Sequence, residues 1–214
     1  MDSGGRQGSS RRRAICEAAL DLAAAGGNRA VTHHAVDRRL GIARGSTSYY
    51  YRTRQDLLEA AIRHLAEASR AAFHTALENA GDSAERTDLP GRTVSALTDP
   101  LDHATELVAG QLDRLLGDRR RDALARYALV PDTAGNEGLR AALAACLFST
   151  PAAEQLMASL GAADSDRAAR DLVSLLEGLL FDRLHGARSL PGNATDDLRP
   201  TLRLWLAALS DRTR

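Results

Sequence analysis

The stretch Val31–Leu58, VTHHAVDRRLGIARGSTSYYYRTRQDLL, constrains this chain more than any other. Its apolar and turn residues are spaced as two short helices around a glycine, followed by the opening of a third. Thr32 stands where an N-cap is needed, its hydroxyl able to accept from a backbone N–H left free in the first turn. Val31 and Val36 are spaced as a hydrophobic staple across that cap. Ala35, Val36 and Leu40 give an inward face, and His33, His34, Asp37, Arg38 and Arg39 a polar one. Gly41 can stop the helix with a positive φ. Ile42 resumes the apolar register, and the next helix carries Arg44, Ser46, Thr47, Ser48, Tyr49 and Tyr50. An arginine, phenols and small hydroxyls are the side chains that read base edges and hold phosphates. The expectation is a helix-turn-helix.

The run Gly41-Ile42-Ala43-Arg44-Gly45-Ser46-Thr47-Ser48-Tyr49-Tyr50-Tyr51, followed by Arg54, Leu57 and Leu58, resembles the DNA-binding domain of the TetR family of transcriptional regulators. The resemblance covers residues 11–58 specifically and the remainder by architecture. Three positions depart from the family's run. Ala43 stands where a serine usually caps the recognition helix, Thr47 replaces an aliphatic residue, and Ser48 replaces a tyrosine. The last change shifts a base or phosphate contact to Tyr49 or Tyr50.

The resemblance implies an all-α protein with a three-helix DNA-binding domain at residues 11–56 and a helical effector-binding and dimerisation domain at 57–214. It also implies a homodimer on a palindromic double-stranded DNA operator, with recognition helices roughly 34 Å apart in successive major grooves. A small-molecule effector would release it, and repression is the family's usual sense. The DNA-contacting set is Thr32, His33, Arg44, Ser46, Thr47, Ser48, Tyr49, Tyr50 and Arg54. Arg44, Ser46 and Thr47 are the candidates for base readout. Thr32, Tyr49, Tyr50 and Arg54 are placed to hold phosphates, and Tyr51 packs inward.

Net charge is zero, which alone argues against a nucleic-acid binder, but its distribution reverses the argument. Residues 1–55 hold ten arginines against Asp2, Glu17, Asp21 and Asp37, leaving an acidic remainder. A basic head on an acidic body concentrates the field at one end. Apolar residues make up 44% and aromatics only 4%, with Ala and Leu abundant, as in an all-helical protein. Cys16 and Cys146 both fall in apolar helical patterns and read as small core residues. No apolar run is long enough to span a bilayer, so a cytoplasmic location without membrane contact is expected.

Residues 1–10, MDSGGRQGSS, have the composition of a disordered tail. Arg11-Arg12-Arg13 then opens a helix that ends at Gly26-Gly27; the three arginines either solvate the helix start or touch phosphate, since cations there oppose the helix dipole. Thr53 and Asp56 are spaced as a capping box for a long helix reaching about Asn79, which would join head to body. Residues 81–98, with Pro90-Gly91, read as a polar loop. Asp99-Pro100 is a cap followed by an N1 proline. Helices follow to Gly117, over 118–129 with Arg119–Arg121 exposed, over 139–147, and from Thr150-Pro151 to Gly161.

Two leucine-rich helices close the chain, over about 165–185 and 195–210. Leu172, Leu175, Leu176 and Leu179 on the first, with Leu202 and Leu206 on the second, give apolar faces wide enough for a four-helix bundle with a second copy. An ordinary buried helical hairpin accounts for the same pattern. In TetR-like proteins the helices after the head enclose an effector cavity, for which His64, His103, Gln111, Arg126, Tyr127 and Trp205 are candidate lining; for each, a plain core or surface role is the leading reading.

No phosphate-cradling glycine motif, G-x-S-x-G elbow or H-E-x-x-H pattern occurs, so no cofactor, metal site or enzymatic activity is expected. His33 and His34 are adjacent and point about 100° apart on a helix, a poor metal pair. Two rivals stand beside the regulator: a helical protein-interaction module with a degenerate DNA-binding head, and a helical enzyme, for which no catalytic set emerges.

Overall fold

The computed structural model describes residues 3–85, 99–189 and 197–211. They form ten α-helices joined by turns and short 3-10 segments, with no strand among the described residues. In chain order these are α1 (Ser3–Gly26), α2 (His33–Leu40), α3 (Ser46–Tyr50), α4 (Arg54–Glu85) and α5 (Pro100–Leu116). α6 (Arg120–Leu129), α7 (Glu137–Ala144), α8 (Thr150–Ser159), α9 (Ser165–His185) and α10 (Arg199–Ser210) complete the set. The fold is all-α, as the composition and periodicity imply.

Local signals act where the sequence places them. Thr32 Oγ1 accepts from the Ala35 amide at 3.1 Å and starts α2. Gly41 ends it at φ 63°. Its N–H donates to Arg38 O while Ile42 N–H donates to Asp37 O, the paired bonds of a Schellman stop. Thr53 and Asp56 form a reciprocal capping box, each amide donating to the other's side chain at 3.0 Å. Asp99 accepts from the Leu101 amide at the start of α5.

Two expectations about helix limits are corrected. Residues 3–10 continue α1 rather than forming a tail, with residues 1–2 outside the described set. Their Gly/Ser composition is poor for nucleation, but adding residues to a helix already nucleated requires only one hydrogen bond per residue fixed. Residues 81–85, expected in a loop, extend α4, and 86–98 lie outside the described residues. The last helix starts at Arg199, with Pro200 in its first turn where no amide donor is needed; residues 195 and 196 lie outside the described set.

The chain divides into two compact units. The first comprises Met1–Ala72 with Arg119–Leu147, and the second Phe73–Asp118 with Phe148–Arg214. A single cut at residues 56–57 therefore does not describe the packing, because α6 and α7 belong with the head helices. α6 packs along α1, and α2 packs on α1 and α3. The first unit's core is Ile15, Leu20, Val31, Val36, Leu57, Leu58, Ile62 and Leu65, joined by Leu129, Leu139 and Leu147, all essentially inaccessible. Each such side chain contributes about 1.5–3 kcal/mol by leaving water.

In the second unit α9 packs against α8, α10 and α5, and α10 also packs against α5. Leu112 and Leu115 of α5, Met157 of α8, Leu172, Leu176, Leu180 and Leu184 of α9, and Leu202 and Leu206 of α10 are its buried core. Arg203 pairs with Asp99 and Asp102, and Arg199 with Glu106, lacing α10 to α5 at the surface. Among the described residues no helix is long and apolar enough to cross a membrane.

Candidate nucleic-acid interface

The turn between α2 and α3 is built around Asp37. This residue was expected on the solvated face of α2, yet it is only 3% exposed. Its Oδ2 accepts from the Gly45 amide at 2.7 Å. Its Oδ1 accepts from the Thr47 amide at 2.9 Å and from the Thr47 hydroxyl at 2.6 Å. Burial pushes this carboxyl up, but the bonds from Thr47 and Gly45 outweigh it, with help from His34, and its pKa lies below the usual aspartate value. Gly45 itself adopts φ 91°, a conformation costly to any residue with a Cβ, and has no side chain to cap α3. The carboxylate of α2 does it instead.

That arrangement corrects the role expected of Thr47. Its side chain is fully buried, and its hydroxyl proton is given to Asp37, so it faces away from any duplex. Arg54 is held by backbone carbonyls while its side chain stays 40% exposed. Its Nε donates to Val31 O at 3.0 Å and its Nη2 to Asn28 O at 2.6 Å, with Nη1 3.6 Å from Asp132. Asp132 also accepts from Asn28 Nδ2. The guanidinium thus clamps the backbone entering α2. His33 donates from Nε2 to Tyr51 O at 2.7 Å and ties the start of α2 to the end of α3.

The remaining expected contacts are exposed or half-buried. Thr32, Arg44 and Ser48 are exposed, and Tyr49 is 84% exposed. Arg44 donates to His34 Nε2 at 3.3 Å. Ser46 is half-buried and gives its hydroxyl proton to Ala43 O. Tyr49 meets Tyr50 edge-on with ring centroids 5.3 Å apart, and the guanidinium of Arg12 lies 5.9 Å from the Tyr50 ring. The basic start of α1 therefore flanks the reading helix. Tyr51 turns inward, its hydroxyl 3.5 Å from Cys16 Sγ. Asp37 was missed by sequence reasoning, which put it on the polar face of α2; Arg12, read as either solvated or touching phosphate, lies beside Tyr50.

Behind α1 an ionic chain joins three more helices. Glu17 of α1 accepts from His64 of α4 at 2.6 Å and from Arg121 of α6 at 2.5 Å. Arg121 also contacts Asp21 and Asp122, and Arg39 of α2 pairs with Asp21 at 2.7 Å. Arg119 reaches the buried Ser69 hydroxyl at 2.6 Å. Desolvation raises the pKa of Glu17, but Arg121 and His64 together bring it below the ordinary value. Arg119 and Arg121, expected on a solvated face, are instead structural, whereas Arg120 is exposed.

The expected effector-lining residues are dispersed. His64, Arg126 and Tyr127 belong to the first unit, and His103 and Gln111 to the second. His64 is engaged by Glu17, Arg126 donates to Leu143 O and stacks over Tyr127, and His103 is exposed. Gln111 accepts from Arg114, and Trp205 is half-buried on α10. A shallow depression of about 470 Å³ lies over Val130–Arg140 in the first unit and contains none of them. No group of three or more potential metal ligands occurs among the described residues.

The leucines expected at a dimer interface need the same correction. Leu172, Leu176, Leu179, Leu202 and Leu206 are buried within the second unit. They fill the hairpin's own core. Leu175 stays exposed at 37%, as do Phe181 of α9 at 50% and Leu204 of α10 at 67%.

Residues 99–212 match the family described as Tetracyclin repressor-like, C-terminal domain. The chain belongs to the TetR family. Its fold is similar to that of a TetR-family member from Streptomyces coelicolor A3, at 25% identity, 93% and 97% coverage of the two chains, and a TM-score of 0.61. It is also similar to the multidrug-binding protein EbrR complexed with ethidium, at 25% identity, 93% and 98% coverage, and a TM-score of 0.59. A transcriptional regulator from Rhodococcus sp. Rha1 shares the fold at 17% identity, 92% and 95% coverage, and a TM-score of 0.65. No curated protein matches this chain by sequence.

Proposed function

We propose that this TetR-family regulator is a repressor that binds an inverted-repeat operator as a homodimer and leaves it when a small molecule binds. The observation that carries the proposal is the two-sidedness of α3. Thr47 is pinned inward, while Ser48, Tyr49 and, just before the helix, Arg44 face out. A helix presented this way can enter a major groove, with Arg44 bidentate to a guanine edge and Tyr49 and Thr32 on phosphates. Arg12, beside Tyr50, extends the positive flank toward the backbone. The activity is binding rather than turnover, exerted in the compartment that holds the chromosome.

Dimerisation is assigned to the outer faces of α9 and α10. Leu175, Phe181 and Leu204 are large apolar groups left exposed on these two helices, which a second copy would cover. Effector response is supported by the ethidium complex of EbrR, a protein of similar fold. A ligand favouring a dimer with heads misplaced for the operator needs only a few kcal/mol of differential binding.

The test is selection of bound sequences from a random duplex pool by the purified protein at moderate salt. Enrichment of an inverted repeat is expected, and Arg44→Ala should then lose about 1–3 kcal/mol of discrimination at one base position of each half-site. An unenriched pool from folded, effector-free protein would overturn the reading and favour a protein partner for the head. Phe181→Asp should yield a monomer by sedimentation; a dimer that persists would move the interface elsewhere.

A further inference from the structure

We infer that Asp37 is the positioning residue for the DNA-reading helix, and that it acts from α2 in place of a cap within the turn itself. This deepens the proposed function and rests on it. α3 is five residues long, too short to be stable by its own hydrogen bonds. Its N-cap residue, Gly45, carries no side chain, and Ala43, two residues earlier, has no polar side-chain atom to offer. Every helix start leaves amide donors that require acceptors. Here the Gly45 and Thr47 amides find theirs in one carboxylate, eight and ten residues back in the sequence.

The Thr47 hydroxyl adds a third bond, which fixes the rotation of α3 about its axis as well as its position. With Thr47 locked inward, Ser48 and Tyr49 have one direction left, outward. The Schellman stop at Gly41–Ile42 and the Asp37 clamp share a residue, since Asp37 O accepts from Ile42 N–H while its side chain holds α3. The angle between the two helices is therefore set through a single residue. Asp37 need not touch DNA; it decides where the groups that do are presented.

The geometry specifies how variants behave. Asp37→Asn keeps one oxygen for Thr47 but turns an NH2 toward the Gly45 donor, so it is a partial defect. Asp37→Ala removes all three bonds. Thr47→Val removes only the hydroxyl bond at nearly constant volume. Because that hydroxyl acts solely through Asp37, the cost of Thr47→Val should vanish in the Asp37→Ala background. Ala43→Ser, which places a hydroxyl where it can accept from an amide two or three residues on, should restore part of what Asp37→Ala loses.

Two measurements separate this inference from the reading it rests on. Amide hydrogen exchange on the full chain needs no DNA. Asp37→Ala should speed exchange at Thr47–Tyr51 while α1 and the buried part of α4 stay protected. Unchanged protection of α3 would overturn the inference. Binding to the duplex selected from the random pool by the unaltered protein, at a temperature where every variant is fully folded by circular dichroism, should weaken by about tenfold for Asp37→Ala. It should recover in the Asp37→Ala, Ala43→Ser double variant. Equal affinity of Asp37→Ala and the parent would reject a positioning role even if α3 loosens. Loosened α3 with no sequence selected by the parent would instead sink the operator reading and leave the clamp standing.

Discussion

The recognition turn, residues 37–54, and the α9–α10 pair are stabilised by opposite means. The turn has few large apolar side chains and is held by directed bonds: Asp37 to Gly45 and Thr47, His33 to Tyr51, Arg54 to Asn28 and Val31. The helix pair is held by a row of leucines with no directional preference, and the ion pairs that tie α10 to α5 sit at the surface. Polar clamps fix an orientation at the cost of tolerance; leucine packing gives stability and accepts small adjustments. A surface that must match the spacing of base pairs suits the first, and a helical scaffold the second.

That contrast can be broken most forcefully in the leucine row. Leu176→Ala should cost about 2–5 kcal/mol in urea unfolding, since it empties volume within the second unit. A loss below 1 kcal/mol would mean that the pair is not a packed core. Arg54→Ala should cost about 1.5–3 kcal/mol through its lost backbone bonds. The salt slope of its DNA binding should stay the same if the guanidinium's bonds to Asn28 and Val31 hold it off the phosphates. A slope reduced by about one would return Arg54 to the phosphates.

Acid provides the next test. The folded pKa of Asp37 is depressed, so its contribution is complete above the unfolded value of about 3.9 and is lost as pH falls through the lower folded value. The stability gap between the parent and Asp37→Asn should be constant from pH 7 to 5 and close below pH 4; a gap that widens in acid would contradict the clamp. Thr32→Ala, which removes only a cap, should cost about 1 kcal/mol. Leu175→Ser, at the exposed edge, should change the stability of the isolated monomer by less than about 0.5 kcal/mol.

What was legible in the sequence is what is decided within a few residues. The Thr32 cap, the Gly41 stop, the Thr53–Asp56 box and the Asp99 cap each find their partner within five positions. What was not legible depends on distant partners. Arg54 looks like a phosphate ligand until Asn28 and Val31 present carbonyls to it, and Arg121 looks solvated until Glu17 arrives from more than a hundred residues earlier. All but Leu175 of the α9 and α10 leucines assigned to a dimer interface are buried, but by their own chain. A wide apolar face looks the same whether its own chain or another copy covers it.

Cys16 and Cys146, both buried, give the protein an unplanned convenience. Burial pushes the Cys146 thiol up to about 11 and raises that of Cys16, so at neutral pH almost none of either is the reactive thiolate. The chain has no other cysteine. A thiol introduced at the outward-facing position 49 would thus meet a maleimide dye with no competitor. One fluorophore on each reading helix of a dimer would turn head spacing, and its change on effector addition, into a distance measured in solution.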